Sequence, residues 1–182
     1  MADGGWLMTA PRAVQLTVNG RPVEVDVEPR ELLVDTLRDR LGLTGAHVGC
    51  GHGSCGACAV LLDGAGVRAC LVLTVQLEGA EVTTVEGVLP GGGTGNGRDG
   101  ADDLHPVQVA LSHCHGLQCG FCTPGVVLTA AELLAEQPCP DERIVRDRLA
   151  GQLCRCTGYA GMVEAVLAVA AETAGSKRVG DG

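Results

Sequence analysis

The sequence predicts an α+β chain, with a β-grasp sheet wrapped over a helix followed by a small four-helix bundle. Three observations predict it. Apolar residues alternate through the first half, recur every three to four residues in the second, and pause in a Gly-rich stretch between the two. The 182 residues suffice for one ordinary domain or two small ones.

The elements follow in order. Val14, Leu16 and Val18 alternate with polar residues, Asn19-Gly20 supplies a type I′ turn, and Val23, Val25 and Val27 alternate on the way back. Leu33, Leu37 and Leu41 then recur every four residues, with Arg38, Asp39 and Arg40 opposite, as in a short amphipathic helix. A Gly-rich loop spans 42–56. Ala57 to Leu62 reads as a strand, Asp63-Gly64 as its turn, Val67 to Val72 as the return, and Val82 to Val85 as a last strand. This unit occupies 12–89. Six glycines in the fourteen residues 90–103, with no apolar period, mark a linker. The second unit, 104–175, carries helical patterns over Pro106–His113, Pro124–Glu136, Asp141–Leu149 and Tyr159–Ala174. Thr123 fits an N-cap there, with Pro124 at the first helical position. Short tails, 1–11 and 176–182, complete the chain.

Composition excludes several classes of function. The net charge of −9 argues against nucleic-acid binding, which needs a basic footprint. Hydrophobic residues at 46% allow a packed core, and aromatics at 2% make that core aliphatic. No stretch has the length and polarity of a membrane span. The N-terminus lacks the basic region and apolar run of a secretory signal, so a cytoplasmic location is expected.

The closely spaced ones among the ten cysteines therefore read as metal ligands rather than disulfides. Cys50, Cys55, Cys58 and Cys70 form C-x4-C-x2-C-x11-C, and the first three have the spacing of plant-type 2Fe–2S ferredoxins. Gly49, Gly51, Gly53 and Gly56 let the loop coil tightly enough for three thiolates to converge. Cys70 falls on the predicted return strand. Structural zinc sites pair C-x2-C knuckles, and only one knuckle is present in this set. His47 and His52 beside it read as solvated loop residues.

Cys119, Cys122, Cys154 and Cys156 form C-x2-C-x31-C-x-C, a spacing that on its own suits zinc as well as iron–sulfur. Each pair precedes a predicted helix, where helix dipoles favour anionic sulfur. Arg155 reads either as a counter-charge or as an ordinary surface residue. No Asp, Glu, Lys or Arg occurs in 41–62 or 104–131, which predicts low-dielectric surroundings for both sets. Cys114 and Cys139 fit neither spacing and read as buried free thiols.

Three runs together resemble a known family: Cys50-Gly51-His52-Gly53-Ser54-Cys55-Gly56-Ala57-Cys58, Gln118-Cys119-Gly120-Phe121-Cys122-Thr123-Pro124-Gly125 and Cys154-Arg155-Cys156-Thr157-Gly158-Tyr159. They are similar to the small iron–sulfur subunit of molybdenum hydroxylases, which include xanthine dehydrogenases, aldehyde oxidoreductases and aerobic carbon monoxide dehydrogenases. The resemblance runs from Val14 to Ala171. It implies a 2Fe–2S ferredoxin-like domain, a helical 2Fe–2S domain and one cluster in each. It also implies a large partner subunit with a molybdenum–pterin cofactor, a medium partner subunit with FAD, and a dimer of such heterotrimers. Electrons would pass singly from molybdenum through the helical-domain cluster and the ferredoxin-like cluster to FAD. Gln118 would contact the pterin. Ala59, Gln152 and Gly51 stand where the family often has Thr, Asn and an acid, but none of these departures removes a ligand.

No activated nucleophile or acid–base pair stands out, so no substrate chemistry is expected within this chain. A free-standing ferredoxin would need only the first half. A zinc-stabilised interaction module would lack the visible absorption of iron–sulfur.

Overall fold

A computed structural model of the chain describes residues 10–88 and 104–179, with side chains as far as 174. The linker expected at 90–103 lies outside the described residues, as do positions 1–9 and 180–182 of the expected tails, while 176–179 continue the last helix. Strands β1 (Arg12–Val18) and β2 (Arg21–Val27) form an antiparallel hairpin with Val14 opposite Val25 and Leu16 opposite Val23. Asn19 and Gly20 both take positive φ, +50° and +73°, as the type I′ turn requires. Alternation then buries Val14, Leu16, Val18, Val25 and Val27 on one face.

Helix α1 (Leu33–Asp35) runs directly into a wide π turn, Thr36–Arg40. Leu33, Val34 and Leu37 are buried beneath the sheet. The expected four-residue spacing fails at Leu41, because its N–H donates to the Thr36 carbonyl at 3.1 Å. That extra residue per turn leaves Leu41 only half-buried. Arg38 closes the helix end onto the next loop, donating to the carbonyls of Thr44 at 2.7 Å and Ala46 at 3.0 Å.

Strands β3 (Ala59–Leu62), β4 (Ala65–Arg68) and β5 (Glu81–Thr83) complete a five-stranded sheet of order β2-β1-β5-β3-β4. Only β1 and β5 run parallel. The return strand differs from expectation. It ends at Arg68, and Ala69–Leu71 form a 3-10 turn that carries Cys70. Ala69 and Cys70 are both buried, and the turn brings the Cys70 thiol inward to partner Cys58. The last strand likewise stops at Thr83, and Val85–Gly87 turn away as 3-10.

Four helices make the second half: α2 (Pro106–His113), α3 (Thr123–Glu136), α4 (Glu142–Leu149) and α5 (Ala160–Val179). His105 starts α2, its Nδ1 accepting from Val107 N–H at 3.2 Å, and Asp141 starts α4, accepting from Ile144 N–H at 2.8 Å. Thr123 is not the N-cap of α3 but its first residue. Cys122 occupies the cap position, and no side chain caps the helix. Helix α5 begins one residue later than expected because Tyr159 has φ +67°. Among the described residues no helix is long and apolar enough to cross a membrane.

Two cores result. One lies between the sheet and α1; the other joins Val107, Leu111, Val126, Leu128, Leu133, Val145, Leu149, Met162 and Val166 of the four helices. Leu61, Val85 and Val88 of the first half pack onto this second core, so the halves share an apolar seam. Arg148 of α4 pairs with Glu132 and Glu136 of α3, and Glu132 also accepts from Gly66 N–H at 2.7 Å.

Candidate metal centres

The first cysteine loop coils through Gly51, Gly53 and Gly56, whose φ values are +70°, +84° and +83°. Gly49 serves otherwise: it lacks positive φ, and a Cβ there would lie 3.0 Å from Cys55 Sγ and 3.2 Å from the Phe121 ring. Cys55 N–H donates to Cys50 Sγ at 3.4 Å, and the Cys58 and Cys70 thiols are hydrogen-bond partners in the core beneath the loop. Backbone N–H groups of His52 and then Cys55 hold the Cys50 thiol down to about 6. Burial pushes Cys58 up to about 11. Exposed backbone donors thus favour thiolate at one corner of the set, and desolvation opposes it at the other.

The second set assembles from two loops, each leading into a helix, as the sequence predicts. Cys156 Sγ lies 3.6 Å from Cys119 Sγ, while the Cys122 thiol partners Cys154. Burial pushes Cys122 up to about 12. At Cys154 burial also opposes ionisation, yet the hydroxyl and backbone N–H of Thr157 hold its thiol below the ordinary value. Thr157 Oγ1 is 3.3 Å from Cys154 Sγ. The hydrogen bond with Cys119 raises Cys156. Gln118 is exposed, and its amide donates to the Cys156 carbonyl at 3.1 Å, tying the two loops together.

Both sets therefore present their thiols in pairs. Among the described residues, no three His, Cys, Asp or Glu side chains converge as the ligands of one ion would. Four sulfurs arranged two and two suit a binuclear centre with two thiolates on each iron. The second set also leaves one buried polar atom, Thr123 Oγ1, without a partner beside Cys122. The donor chemistry fits 2Fe–2S at both places.

Three smaller expectations are corrected. His47 is no free loop residue: it stacks on Phe121 with ring centroids 4.8 Å apart, and its Nδ1 lies 2.7 Å from the Phe121 carbonyl. Cys139 is exposed and Cys114 half-buried, because the first sits in a turn between helices and the second at the open end of α2. The uncharged stretches are not wholly buried either. Within the isolated chain, Val48, Leu117, Cys119 and Phe121 of those stretches are exposed, as are Leu71, Leu153 and Cys156 beyond them. Arg155 is exposed and lies between two candidate ligands.

Sequence reasoning noted Gln152 only as a departure from a family pattern. The structure buries it between the two cysteine loops. Its amide nitrogen donates to the Gly56 carbonyl at 2.9 Å, and its oxygen accepts from Arg68 at 3.1 Å and from Thr129 at 2.6 Å. The reverse orientation would set two carbonyl oxygens against each other. One residue on, Leu153 N–H donates to the Cys55 carbonyl at 2.8 Å.

A sheet over a helix with one four-cysteine loop, joined to a helical bundle with another, defines a two-centre iron–sulfur protein. Residues 16–84 match the family described as a 2Fe-2S iron-sulfur cluster binding domain, and residues 84–167 match the 2Fe-2S binding domain family. The small subunit of nicotine 6-hydroxylase from Paenarthrobacter nicotinovorans is 48% identical over 154 residues, covering 85% of this chain and 87% of the relative. Caffeine dehydrogenase subunit gamma from Pseudomonas sp. (strain CBB1) is 44% identical, covering 88% and 92%. The crystal structure of quinoline 2-oxidoreductase from Pseudomonas putida 86 superposes with a TM-score of 0.81 at 42% identity, covering 91% of this chain and 98% of that one. The chain belongs to the iron–sulfur subunit family of molybdenum hydroxylases, the family of xanthine dehydrogenases and aldehyde oxidoreductases. It is a subunit of an oxidoreductase, with two 2Fe–2S-binding domains.

Proposed function

We propose that Cys50, Cys55, Cys58 and Cys70 hold one 2Fe–2S cluster, that Cys119, Cys122, Cys154 and Cys156 hold the other, and that the chain relays single electrons inside a larger complex. When bound, the clusters supply one-electron redox steps between a molybdenum–pterin cofactor on a large subunit and FAD on a medium subunit. The helical unit, 104–175, faces the pterin, and the unit at 12–89 faces FAD.

The observation that carries this reading is the Leu153 N–H bond to the Cys55 carbonyl. Cys55 belongs to one set, and Leu153 adjoins Cys154 of the other. A single 2.8 Å hydrogen bond therefore joins two ligand-bearing backbones. Gln152 and Arg68 brace the same contact, Arg68 donating to the Gly151 carbonyl at 2.9 Å. Gln118 stands exposed beside Cys119 and Cys156 with an amide suited to a pterin edge. Exposed Leu117, Phe121 and Leu153 around it are apolar surface for a partner subunit to cover. Two such heterotrimers pair, and the complex works in the cytoplasm.

Iron and acid-labile sulfide analysis of the isolated complex tests the ligand assignment. About four irons per chain are expected. Cys55→Ser and Cys122→Ser should each remove one cluster, while Cys114→Ser and Cys139→Ser should leave iron unchanged. Low-temperature electron paramagnetic resonance should resolve two rhombic signals, because the two sulfur environments differ. Stoichiometric zinc, or iron loss in the Cys114 or Cys139 variants, would overturn the assignment.

A further inference from the structure

We infer that the Thr123 hydroxyl donates a hydrogen bond to a sulfur of the cluster between α3 and the 154–156 loop, and that it holds that cluster's reduction potential up. This deepens the reading above and rests on the second cysteine set binding 2Fe–2S.

Thr123 Oγ1 is shut off from solvent and has no hydrogen-bond partner among the described residues. It is the one such side-chain atom found among them. Buried hydroxyls are ordinarily paired, because an unpaired one forfeits its hydrogen bonds to water without replacement. The places where a threonine so near a helix start finds a partner are taken up differently here. Cys122 occupies the cap position, and Thr123 N–H donates to the Gly120 carbonyl at 3.2 Å. The hydroxyl proton is thus free for an acceptor that the bound group brings.

Its position indicates which acceptor. Thr123 directly follows Cys122, a buried candidate ligand whose thiol partners Cys154. The same sulfur pair already receives one hydroxyl. Thr157 Oγ1 accepts from Tyr159 N–H at 3.2 Å and lies 3.3 Å from Cys154 Sγ, so its own proton is available to that sulfur. The second set therefore already draws on one side-chain hydroxyl beside its backbone N–H donors. At the first set, the corresponding donor is backbone, Cys55 N–H to Cys50 Sγ. Hydrogen bonds to cluster sulfur stabilise the reduced, more negative state and raise the potential. A hydroxyl donor can be removed by substitution without touching the backbone.

Thr123→Val keeps the shape and removes the donor, whereas Thr123→Ser keeps the donor. Both are to be studied in the assembled complex by redox titration followed by electron paramagnetic resonance. For Thr123→Val, the reduced-to-oxidised ratio of one cluster should fall about tenfold at fixed applied potential, or about 59 mV for a one-electron couple. The other cluster should not move, and Thr123→Ser should titrate near the wild type. Resonance Raman spectra in deuterated water should show a smaller isotope shift of the Fe–S modes in Thr123→Val than in wild type. Should Thr123→Val fail to retain iron, Thr123→Ala carries the same comparison. An iron-replete Val or Ala variant with wild-type potentials would overturn the inference. So would a shift that Thr123→Ser reproduces in full. A wild-type complex lacking the second cluster would instead overturn the ligand assignment, so the two failures are distinguishable.

Discussion

Tyr159 has φ +67°, a left-handed conformation that costs a residue with a Cβ about 1–2 kcal/mol. Its hydroxyl offsets that strain by closing the 152–154 loop, donating to the Gln152 carbonyl at 3.0 Å and accepting from Cys154 N–H at 2.8 Å. Tyr159→Phe removes both bonds from half-buried groups. It should cost about 1–3 kcal/mol, read as a lower urea midpoint at unchanged slope, with faster loss of iron from the second set. An unchanged midpoint would mean that water takes over both bonds. The sequence shows Tyr159 only as the expected first residue of a helix. Seven of the eight candidate ligands are legible because they fall in short spacings, Cys50-Cys55-Cys58, Cys119-Cys122 and Cys154-Cys156, with Cys70 following at a longer interval. The Tyr159 and Thr123 hydroxyls are not, since their partners depend on how two loops meet in space.

At the scale of elements, the helices are the most legible part, because each carries an apolar period. Their first residues are less so: Cys122 and not Thr123 occupies the cap position of α3, and α5 starts after Tyr159. Helix α2 has an unusual start. His105 caps it through a neutral ring nitrogen, and the His105 backbone N–H donates to Gln108 Oε1 at 2.8 Å. Burial holds the His105 imidazole below its ordinary 6.5, so the folded chain prefers the neutral acceptor form. The sign follows from linkage. Below 6.5 the unfolded chain takes up a proton that the folded chain resists, so this contribution is present above 6.5 and is lost as pH falls toward the lowered folded value. His105→Asn keeps a capping acceptor without a titrating one. Unfolding midpoints should therefore fall less steeply between about pH 7 and pH 5 in His105→Asn than in wild type. His105→Ala should lose about 1 kcal/mol at neutral pH. Equal slopes for wild type and His105→Asn would show that the cap does not sense pH. The strands were less legible where the site bends them. An alternating pattern extends the return strand to Val72, but Cys70 has to turn inward beside Cys58, and the 3-10 turn at Ala69–Leu71 is the result.

At the scale of the whole molecule, periodicity separates the halves, and only the tertiary structure shows how they lock. Gly56 and Gly125 bring their backbones together at the seam, where a Cβ on Gly125 would meet the Gly56 carbonyl at 2.5 Å. A Cβ on Gly56 would drive into the Gln152 amide and the Gly151 carbonyl. No local pattern links Gly56 to Gln152, since neither residue's type announces a partner so distant in the chain. Gly56→Ala consequently tests whether the seam carries the coupling between the centres. The left-handed φ of +83° contributes about 1–2 kcal/mol of strain, and the collision adds about 1–3 kcal/mol unless the seam opens. Gly64→Ala is the control, because Gly64 has the same φ of +83° and no atom within 4 Å of its would-be Cβ. Both variants should retain iron, since neither removes a cysteine. Only Gly56→Ala should accelerate deuterium exchange at Leu153 N–H, whose bond to the Cys55 carbonyl spans the seam. Only Gly56→Ala should also weaken the magnetic interaction between the two reduced centres. If Gly56→Ala and Gly64→Ala behave alike in both measurements, backbone strain alone explains the effect, and the Gly56–Gln152 seam does not set the distance between the two halves.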